Sequence, residues 1–260
     1  MNGLALLFRF MTRLPMGFEP QFDSDKLGRS MKFFPIVGMV IGIINFLFFL
    51  LFVKTVVYSP LVMVVLLVIV ESILTGGLHL DGLADTFDGI FSYRSKQKML
   101  EIMKDSRLGT NGGLVLTLYF IVKIAFLYDI ETFVNIPSGI ILLIVPVMAR
   151  LNSVVNCASA PYARPTGMGK TFVDNTDGAG VVVATVLTAV FTWGVCYVFA
   201  LPYEILIVIP ILMILGYGFA KLITRKIGGI TGDTLGAVLE LSEIIAIFLI
   251  YSVFRYTLIQ

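Results

Sequence analysis

The chain has 260 residues, of which 58% are hydrophobic and 14% are charged. Soluble domains carry about 25% charged residues, so this composition excludes an ordinary soluble fold and predicts a membrane protein. The small net charge of +2 gives no reason to expect a nucleic-acid partner. We interpret residues 1–260 as a single integral-membrane domain.

The N-terminal stretch MNGLALLFRFMTRLPMG predicts an amphipathic helix on the cytoplasmic membrane surface, because Arg9 and Arg13 interrupt its apolar run. Spanning helices are predicted where about 20 mostly apolar residues follow one another. Seven segments fit, the shortest being 137–149: 33–53, 60–78, 113–128, 137–149, 179–201, 203–220 and 235–254. The predicted fold is an all-α polytopic bundle of about seven transmembrane helices.

Basic residues predict the orientation of this bundle. With a cytoplasmic N-terminus, the 19 Lys and Arg residues all fall on the cytoplasmic side except Lys54, Lys123 and Arg255. Three longer polar loops then share that side: 79–112, 150–178 and 221–234. We therefore expect a functional site at the cytoplasmic face.

The segment GGLHLDGLADTFDG (76–89) places three carboxylates beside the single histidine of the chain. On a helix, Asp81, Asp85 and Asp88 fall within roughly 60° of one another, where like charges repel. A divalent cation removes this repulsion, and Mg²⁺ binds carboxylates together with substrate phosphates. The cluster favours Mg²⁺-assisted chemistry on a phosphate group over a solvated helix with incidental acids.

Other polar residues near this cluster are candidate substrate contacts. His79 is either a general base or phosphate contact, or an interfacial hydrogen-bonding residue. Arg94, Lys104 and Arg107 are suited to neutralising phosphate charge. The segment KDSRLGTNGG (104–113) predicts either a glycine-rich anion cradle, with Asn111 as a further candidate substrate contact, or an ordinary helix start capped by Asn111.

The segment PYARPTGMGKTF (161–172) contains the residues GKT of a nucleotide-binding loop. Arg164 stands where such a loop needs glycine, so the segment does not predict nucleotide hydrolysis. Arg164 and Lys170 remain candidate contacts to a phosphate or a ring.

A third segment, RKIGGITGDTLGAVLELSE (225–243), places Asp233 at a helix start, as a cap or as part of the substrate site. Its GGITGDTL portion has the same spacing of glycines, Asp and Leu as GGLHLDGL (76–83). Chance similarity between glycine-rich turns explains this echo as well as a common role does.

Acidic residues also occur within the predicted spans, where they are costly and usually face the bundle interior. Glu240 and Glu243 lie in the last span, and Glu71 lies in the second. Glu71 is either a structural partner for Lys123 or a site residue. Glu71, Asp233 and Glu240 are further candidate metal ligands.

Taken together, these motifs resemble those of the adenosylcobinamide-GDP ribazoletransferase (cobalamin synthase) family. The matching stretches cover almost the whole chain, and HLDGLADTFDG is the most specific of them. They are TRLPMG (12–17), FFPIVG (33–38), TGGLHLDGLADTFDG (75–89), EIMKDSRLGTNGG (101–113), YARPTGMG (162–169) and GGITGDTLGAVLELSE (228–243).

This resemblance implies a membrane transferase that joins adenosylcobinamide-GDP to α-ribazole or its 5′-phosphate and releases GMP, with Mg²⁺ as cofactor. Asp81, Asp85 and Asp88 would hold the ion, and His79 or a carboxylate would accept the proton of the attacking hydroxyl. The resemblance places the enzyme in the lipid bilayer of a bacterial cytoplasmic (inner) membrane. A bulky corrinoid substrate also leaves open a groove between two chains, and hence a homo-oligomer.

Two other classes remain as alternatives. DTFDGIFSYR (85–94) begins like a CDP-alcohol phosphotransferase motif, but Ser92 and Tyr93 replace the Ala and Arg of that motif, and its later acidic half is missing. A proton- or cation-coupled transporter would use the intramembrane acids, but transporters place such sites near the midplane. Most carboxylates here lie at one face, which favours a phosphate-handling enzyme.

Overall fold

The computed structural model describes residues 2–17, 21–55 and 59–257. These residues form helices and short connections, with one isolated β-bridge between Tyr162 and Ile230 and no strand. The all-α prediction is confirmed. The α-helices are α1 (Asn2–Met11), α2 (Ser24–Arg29), α3 (Phe34–Thr55), α4 (Pro60–Thr75), α5 (Leu78–Ile90), α6 (Lys96–Ile102), α7 (Thr110–Asp129), α8 (Ser138–Ser159), α9 (Met168–Asp174), α10 (Gly178–Val198), α11 (Val208–Ile227) and α12 (Gly232–Thr257).

Six helical runs within the described residues are long and apolar enough to cross a membrane. They are Met31–Lys54, Thr110–Val134, Ser138–Ser159, Gly178–Val198, Tyr203–Ile227 and Gly232–Tyr256. A bent helix pair, α4 and α5, brings the number to seven if it counts as one span. The prediction of about seven spans is therefore confirmed, and the cytoplasmic position of the N-terminus stays a prediction.

The predicted span 60–78 is longer than the helix that the structure shows there. Helix α4 ends at Thr75, and α5 leaves it at an angle of 89°. Gly76 and Gly77 make the turn with φ values of 62° and 71°, in the left-handed region that favours glycine. The acidic segment is therefore a separate helix that turns away from α4.

Helix α8 is the centre of the bundle, and it is buried from Ser138 to Cys157. The predicted span 137–149 was too short, and the predicted loop 150–178 was wrong in its first ten residues, because the helix continues to Ser159. Its polar residues are buried against neighbouring helices: Asn152 donates to Ser242 Oγ at 2.7 Å, and Asn156 donates to Gly216 O at 2.8 Å. A hydropathy profile ends this span at its first polar residues. It does not register that these residues are buried against helices far away in sequence.

The other predicted loops are also more helical than expected. Much of 79–112 belongs to α5 and α6, and 221–227 continues α11. Helix α1 is amphipathic, as predicted: Leu6, Leu7 and Met11 are buried against the bundle. The backbone N–H of Arg13 donates to Leu74 O at 2.7 Å, which fixes the end of this N-terminal segment beside α4.

Candidate active site

Helices α5 and α12 cross at two glycines. A Cβ atom on Gly82 would lie 2.7 Å from Asp233 O, and one on Gly236 would lie 2.9 Å from His79 O. Only glycine allows such a close backbone approach, which is a common helix-packing device in membranes. The two glycine-rich segments with similar spacing therefore pack against each other, and the carboxylates of α5 lie near Asp233.

The 160–167 loop is bound to the connection before α12. Ala163 N–H donates to Ile230 O, and Ile230 N–H donates to Pro161 O, both at 2.8 Å. In the same loop, Arg164 Nη2 donates to Asp233 Oδ2 at 2.9 Å. The second and third predicted polar segments thus meet at the first turn of α12.

Asp233 is not the cap of α12. Thr231 and Thr234 cap the helix reciprocally: Thr231 N–H donates to Thr234 Oγ1 at 2.8 Å, and Thr234 N–H donates to Thr231 Oγ1 at 3.2 Å. The capping interpretation of Asp233 was therefore wrong. Its carboxylate instead accepts hydrogen bonds from Arg164 and from Thr231 Oγ1.

A cluster of carboxylates forms at this crossing. Asp85 is half-buried and interacts electrostatically with Asp81, Asp88 and Asp233, and with the guanidinium of Arg164. Four negative groups around one positive group leave an excess of negative charge, which a bound cation would offset. Within the described residues, no group of three or more His, Cys, Asp or Glu side chains is already arranged as a metal-ligand set.

Asp88 has a structural partner of its own. Its two carboxylate oxygens accept hydrogen bonds from Gly109 N–H and Gly112 N–H, each at 2.8 Å. These are N–H groups at the start of α7, so Asp88 caps that helix from α5. Asp88 thus occupies the anion cradle expected at 104–113. Its carboxylate caps α7, in place of Asn111 or a bound ligand. The role of Asp88 as a metal ligand stays a prediction.

His79 is buried, with 5% of its surface exposed. Its ring lies 6.0 Å from the ring of Phe34, and neither ring nitrogen has a hydrogen-bond partner. Buried polar atoms are usually paired, so two unpaired ring nitrogens are unusual. The role of His79 as a substrate contact or general base stays a prediction.

The predicted basic residues are more widely spread. Arg94 and Lys104 are exposed, and Lys170 pairs with Asp174 at 2.6 Å on the surface. Arg107, 88% exposed, pairs with Asp105 at 2.6 Å, and this hydrogen bond lowers the pKa of Asp105 to about 2. Among the predicted cations, which all lie in the described part of the chain, Arg164 is the one with a direct hydrogen bond to the carboxylate cluster.

A second charged cluster lies buried between α4, α7, α8 and α12. Lys123 Nζ donates to Glu71 Oε2 at 2.8 Å and to Glu243 Oε2 at 2.6 Å. Tyr119 donates to Glu243 at 3.1 Å, and Arg150 Nη1 lies 3.4 Å from Glu243 Oε1. The Glu71–Lys123 pairing is confirmed. Sequence reasoning missed Tyr119 and placed Arg150 in a loop, whereas it is 0% exposed within α8.

Glu240 lines the same small space as this charged cluster. The structure therefore gives Glu71 and Glu240 positions among buried cations. Their role as metal ligands stays a prediction.

A cavity of about 190 Å³ opens beside the α5–α12 crossing. Its polar lining residues are His79, Asp81, Ser153 and Asp233. The cavity therefore shares Asp81 and Asp233 with the carboxylate cluster. A small molecule bound there would contact both.

These features define a polytopic helical membrane protein with an acidic, arginine-containing site between two helix ends. The sequence profile of the family described as Cobalamin-5-phosphate synthase matches residues 3–251. The chain belongs to this family, and it is a transferase of cobalamin biosynthesis.

Curated relatives are similar in sequence to this chain over nearly their full length. A protein of Fusobacterium nucleatum named adenosylcobinamide-GDP ribazoletransferase is 48% identical, with 96% of each chain covered. Proteins of the same name from Clostridioides difficile and Clostridium acetobutylicum are 36% and 38% identical over 96% and 97% of this chain, and 97% of each relative is covered. No solved structure matches the chain significantly.

Proposed function

We propose that the chain joins adenosylcobinamide-GDP to α-ribazole, or to its 5′-phosphate, and releases GMP. The product is adenosylcobalamin or its 5′-phosphate. The observation that carries the proposal is the family match over residues 3–251, combined with a carboxylate cluster that contacts Arg164. Phosphoryl transfer depends mostly on positioning and on neutralising charge, and this site contains groups suited to both.

The reaction replaces one phosphate ester by another. A ribose hydroxyl oxygen of the acceptor attacks the phosphorus atom on the cobinamide side of the diphosphate. A P–O bond forms, the bond from that phosphorus to the bridging oxygen breaks, and GMP leaves with that oxygen. The hydroxyl proton passes to a carboxylate of the cluster such as Asp81, which lines the cavity.

The carboxylate cluster fits a Mg²⁺ ion by its chemistry, because hard cations prefer carboxylate oxygens and the cluster carries excess negative charge. Asp81, Asp85 and Asp233 would hold the ion. When bound, Mg²⁺ would supply charge neutralisation for the diphosphate and the leaving GMP.

Arg164 complements the carboxylates. Its Nη2 is committed to Asp233, while its Nε is buried and has no partner. The positive charge of this guanidinium is suited to neutralising a phosphate group of the substrate.

We further propose a bacterial cytoplasmic membrane as the location, with the site facing the cytoplasm. The support is the bias of basic residues toward one side. Ser95→Cys, at an exposed position near the carboxylates in sequence, should react with an impermeant thiol reagent in inside-out vesicles only, since the native Cys157 and Cys196 are buried. Reaction only in right-side-out vesicles would overturn this orientation.

The function is tested by GMP release from purified protein in lipid, given adenosylcobinamide-GDP and α-ribazole. Release should need both substrates, stop with EDTA, and be lost in Asp81→Asn and Asp85→Asn. Asp25→Asn, at an exposed site in α2, is the matched control and should keep activity. Mn²⁺ titration followed by electron paramagnetic resonance should show weaker binding in Asp85→Asn.

Folded wild-type protein that releases no GMP would overturn the proposed reaction. Release of CMP from a CDP-alcohol in the same assay would indicate the CDP-alcohol phosphotransferase class instead. GMP release that is insensitive to EDTA would overturn the role of Mg²⁺ and leave the transferase assignment intact.

A further inference from the structure

We infer that the cavity beside the α5–α12 crossing is the subsite for the aromatic base of the acceptor nucleoside, with α1 and α9 as its walls. This inference rests on the proposed function and adds a substrate subsite to it. We call this space the base cavity. Six of its lining residues carry the inference: Phe10, Met11, Met31, Phe34, Met168 and Phe172.

The walls of the base cavity suit a flat, apolar ring system. Phe34 and Phe172 are buried, and the rings of Phe10 and Phe172 lie 5.8 Å apart at 54°. Aromatic side chains favour stacked or tilted contacts with another ring, and the flexible thioethers of methionine adapt to the shape of a ligand. The base of α-ribazole is a dimethylated benzimidazole, which has this flat and largely apolar character.

The distribution of polar groups matches a nucleoside. The aromatic and methionine side chains come from α1, from α9 and from the start of the Met31–Lys54 run. The four polar side chains, named above, come from α5, α8 and α12. An acceptor nucleoside has the same division, with an apolar base attached to a ribose rich in hydroxyl groups.

Other parts of the two substrates fit the base cavity less well. Guanine has several hydrogen-bond donors and acceptors on its edge, and burying them against phenylalanine and methionine would leave them unpaired at a cost. The corrin ring system is too large for a cavity of about 190 Å³. Of these substrate parts, the acceptor base is the one that fits the base cavity and would lose few hydrogen bonds on entering it.

The base cavity also has the right neighbours for the reaction. His79, Asp81 and Asp233 line it, and Asp81 and Asp233 interact with Asp85 in the carboxylate cluster. A base held in the cavity would therefore place its ribose beside the carboxylates. The attacking hydroxyl belongs to that ribose, so the same binding event would position the nucleophile.

Met168 provides a test with little risk to folding, because its side chain is 42% exposed while also lining the base cavity. Met168→Trp would narrow the cavity. The larger indole would exclude part of the base from the cavity, so we expect the KM for α-ribazole to rise about tenfold or more. The KM for adenosylcobinamide-GDP should change by less than about twofold. Ile214→Trp, an exposed position in α11, is the matched control.

A binding measurement complements the kinetics. Equilibrium dialysis of radiolabelled 5,6-dimethylbenzimidazole against protein in lipid nanodiscs should show binding to wild type and weaker binding to Met168→Trp. Phe172→Ala should weaken it as well, while Phe133→Ala, at an exposed position, should not.

The outcomes separate this inference from the proposed function. An active wild type together with a Met168→Trp variant of unchanged KM for α-ribazole would overturn the base cavity and leave the function intact. A selective rise in the KM for adenosylcobinamide-GDP would assign the cavity to the donor and also overturn the inference. An inactive, folded wild type would overturn the proposed function, and dialysis would still test whether the free base binds here.

Discussion

Arg164 Nη2 lies 2.9 Å from Asp233 Oδ2, and this ion pair joins the 160–167 loop to the first turn of α12. Both side chains are largely buried, so the pair is little screened by solvent. Asp233 in turn lies against Gly82 of α5. The contact between Arg164 and Asp233 therefore links three polar segments that are far apart in sequence.

Arg164→Gln should lower kcat/KM for GMP release by about a hundredfold, because it removes the guanidinium from the carboxylate cluster. Arg164→Lys should recover only part of the loss, since an ammonium group lacks the planar, fixed fork of donors of the guanidinium. Arg255→Gln, exposed at the other end of α12, should have no effect. Full activity of Arg164→Gln would show that the guanidinium has no part in the reaction.

The glycine crossing predicts a sharp difference between similar substitutions. Gly82→Ala and Gly236→Ala would each press a methyl group onto backbone atoms of the partner helix, so α5 and α12 must move apart. We expect both variants to lose most GMP release and to bind Mn²⁺ more weakly. Gly194→Ala in α10 has no atom within 4 Å of the added methyl group and should be neutral or slightly stabilising. Wild-type activity in both crossing variants would contradict the close approach.

The buried charged cluster predicts a stability effect. Lys123→Met would leave Glu71 and Glu243 without their shared ammonium group, and the free energy of unfolding should fall by about 3–5 kcal/mol. Adding Glu71→Gln should recover part of this loss, because it removes one of the stranded charges. Lys54→Met, exposed at the end of α3, should change stability by less than about 0.5 kcal/mol. Denaturant unfolding in detergent micelles measures these differences, and a Lys123→Met variant as stable as wild type would rule out the ion pairs.

The contact between Asp88 and the start of α7 predicts a local effect. Asp88→Ala should leave two backbone N–H groups without an acceptor, at about 1–3 kcal/mol each, so hydrogen exchange at Gly109 and Gly112 should accelerate. Asp88→Asn, which keeps one acceptor oxygen, should be intermediate. Asp25→Ala, at an exposed position in α2, should leave this exchange unchanged. Unchanged exchange with weaker Mn²⁺ binding in Asp88→Ala would instead make Asp88 a metal ligand.

The sequence supported many site predictions because chemically unusual residues stand out in an apolar chain. Asp81, Asp85 and Asp233 attracted attention by their charge, and the structure places them around one crossing. The echo between the two glycine-rich segments was a weaker signal, yet the structure makes them packing partners. The burial of Arg150 was not predicted, because an arginine after an apolar run indicates a membrane boundary. In the structure it is buried in the middle of α8.

By itself, the sequence determined the all-α membrane fold, the approximate number of spans, the acidic site segment and the family. Transfer of a segment from water to lipid depends mainly on its own residues, about 20 at a time, so this information is local. Only the tertiary structure decided that Asp88 caps α7, that Arg164 pairs with Asp233 and that α1 and α9 wall a cavity. These features depend on which helices pack together, and packing joins residues whose separation in sequence carries no signal of contact.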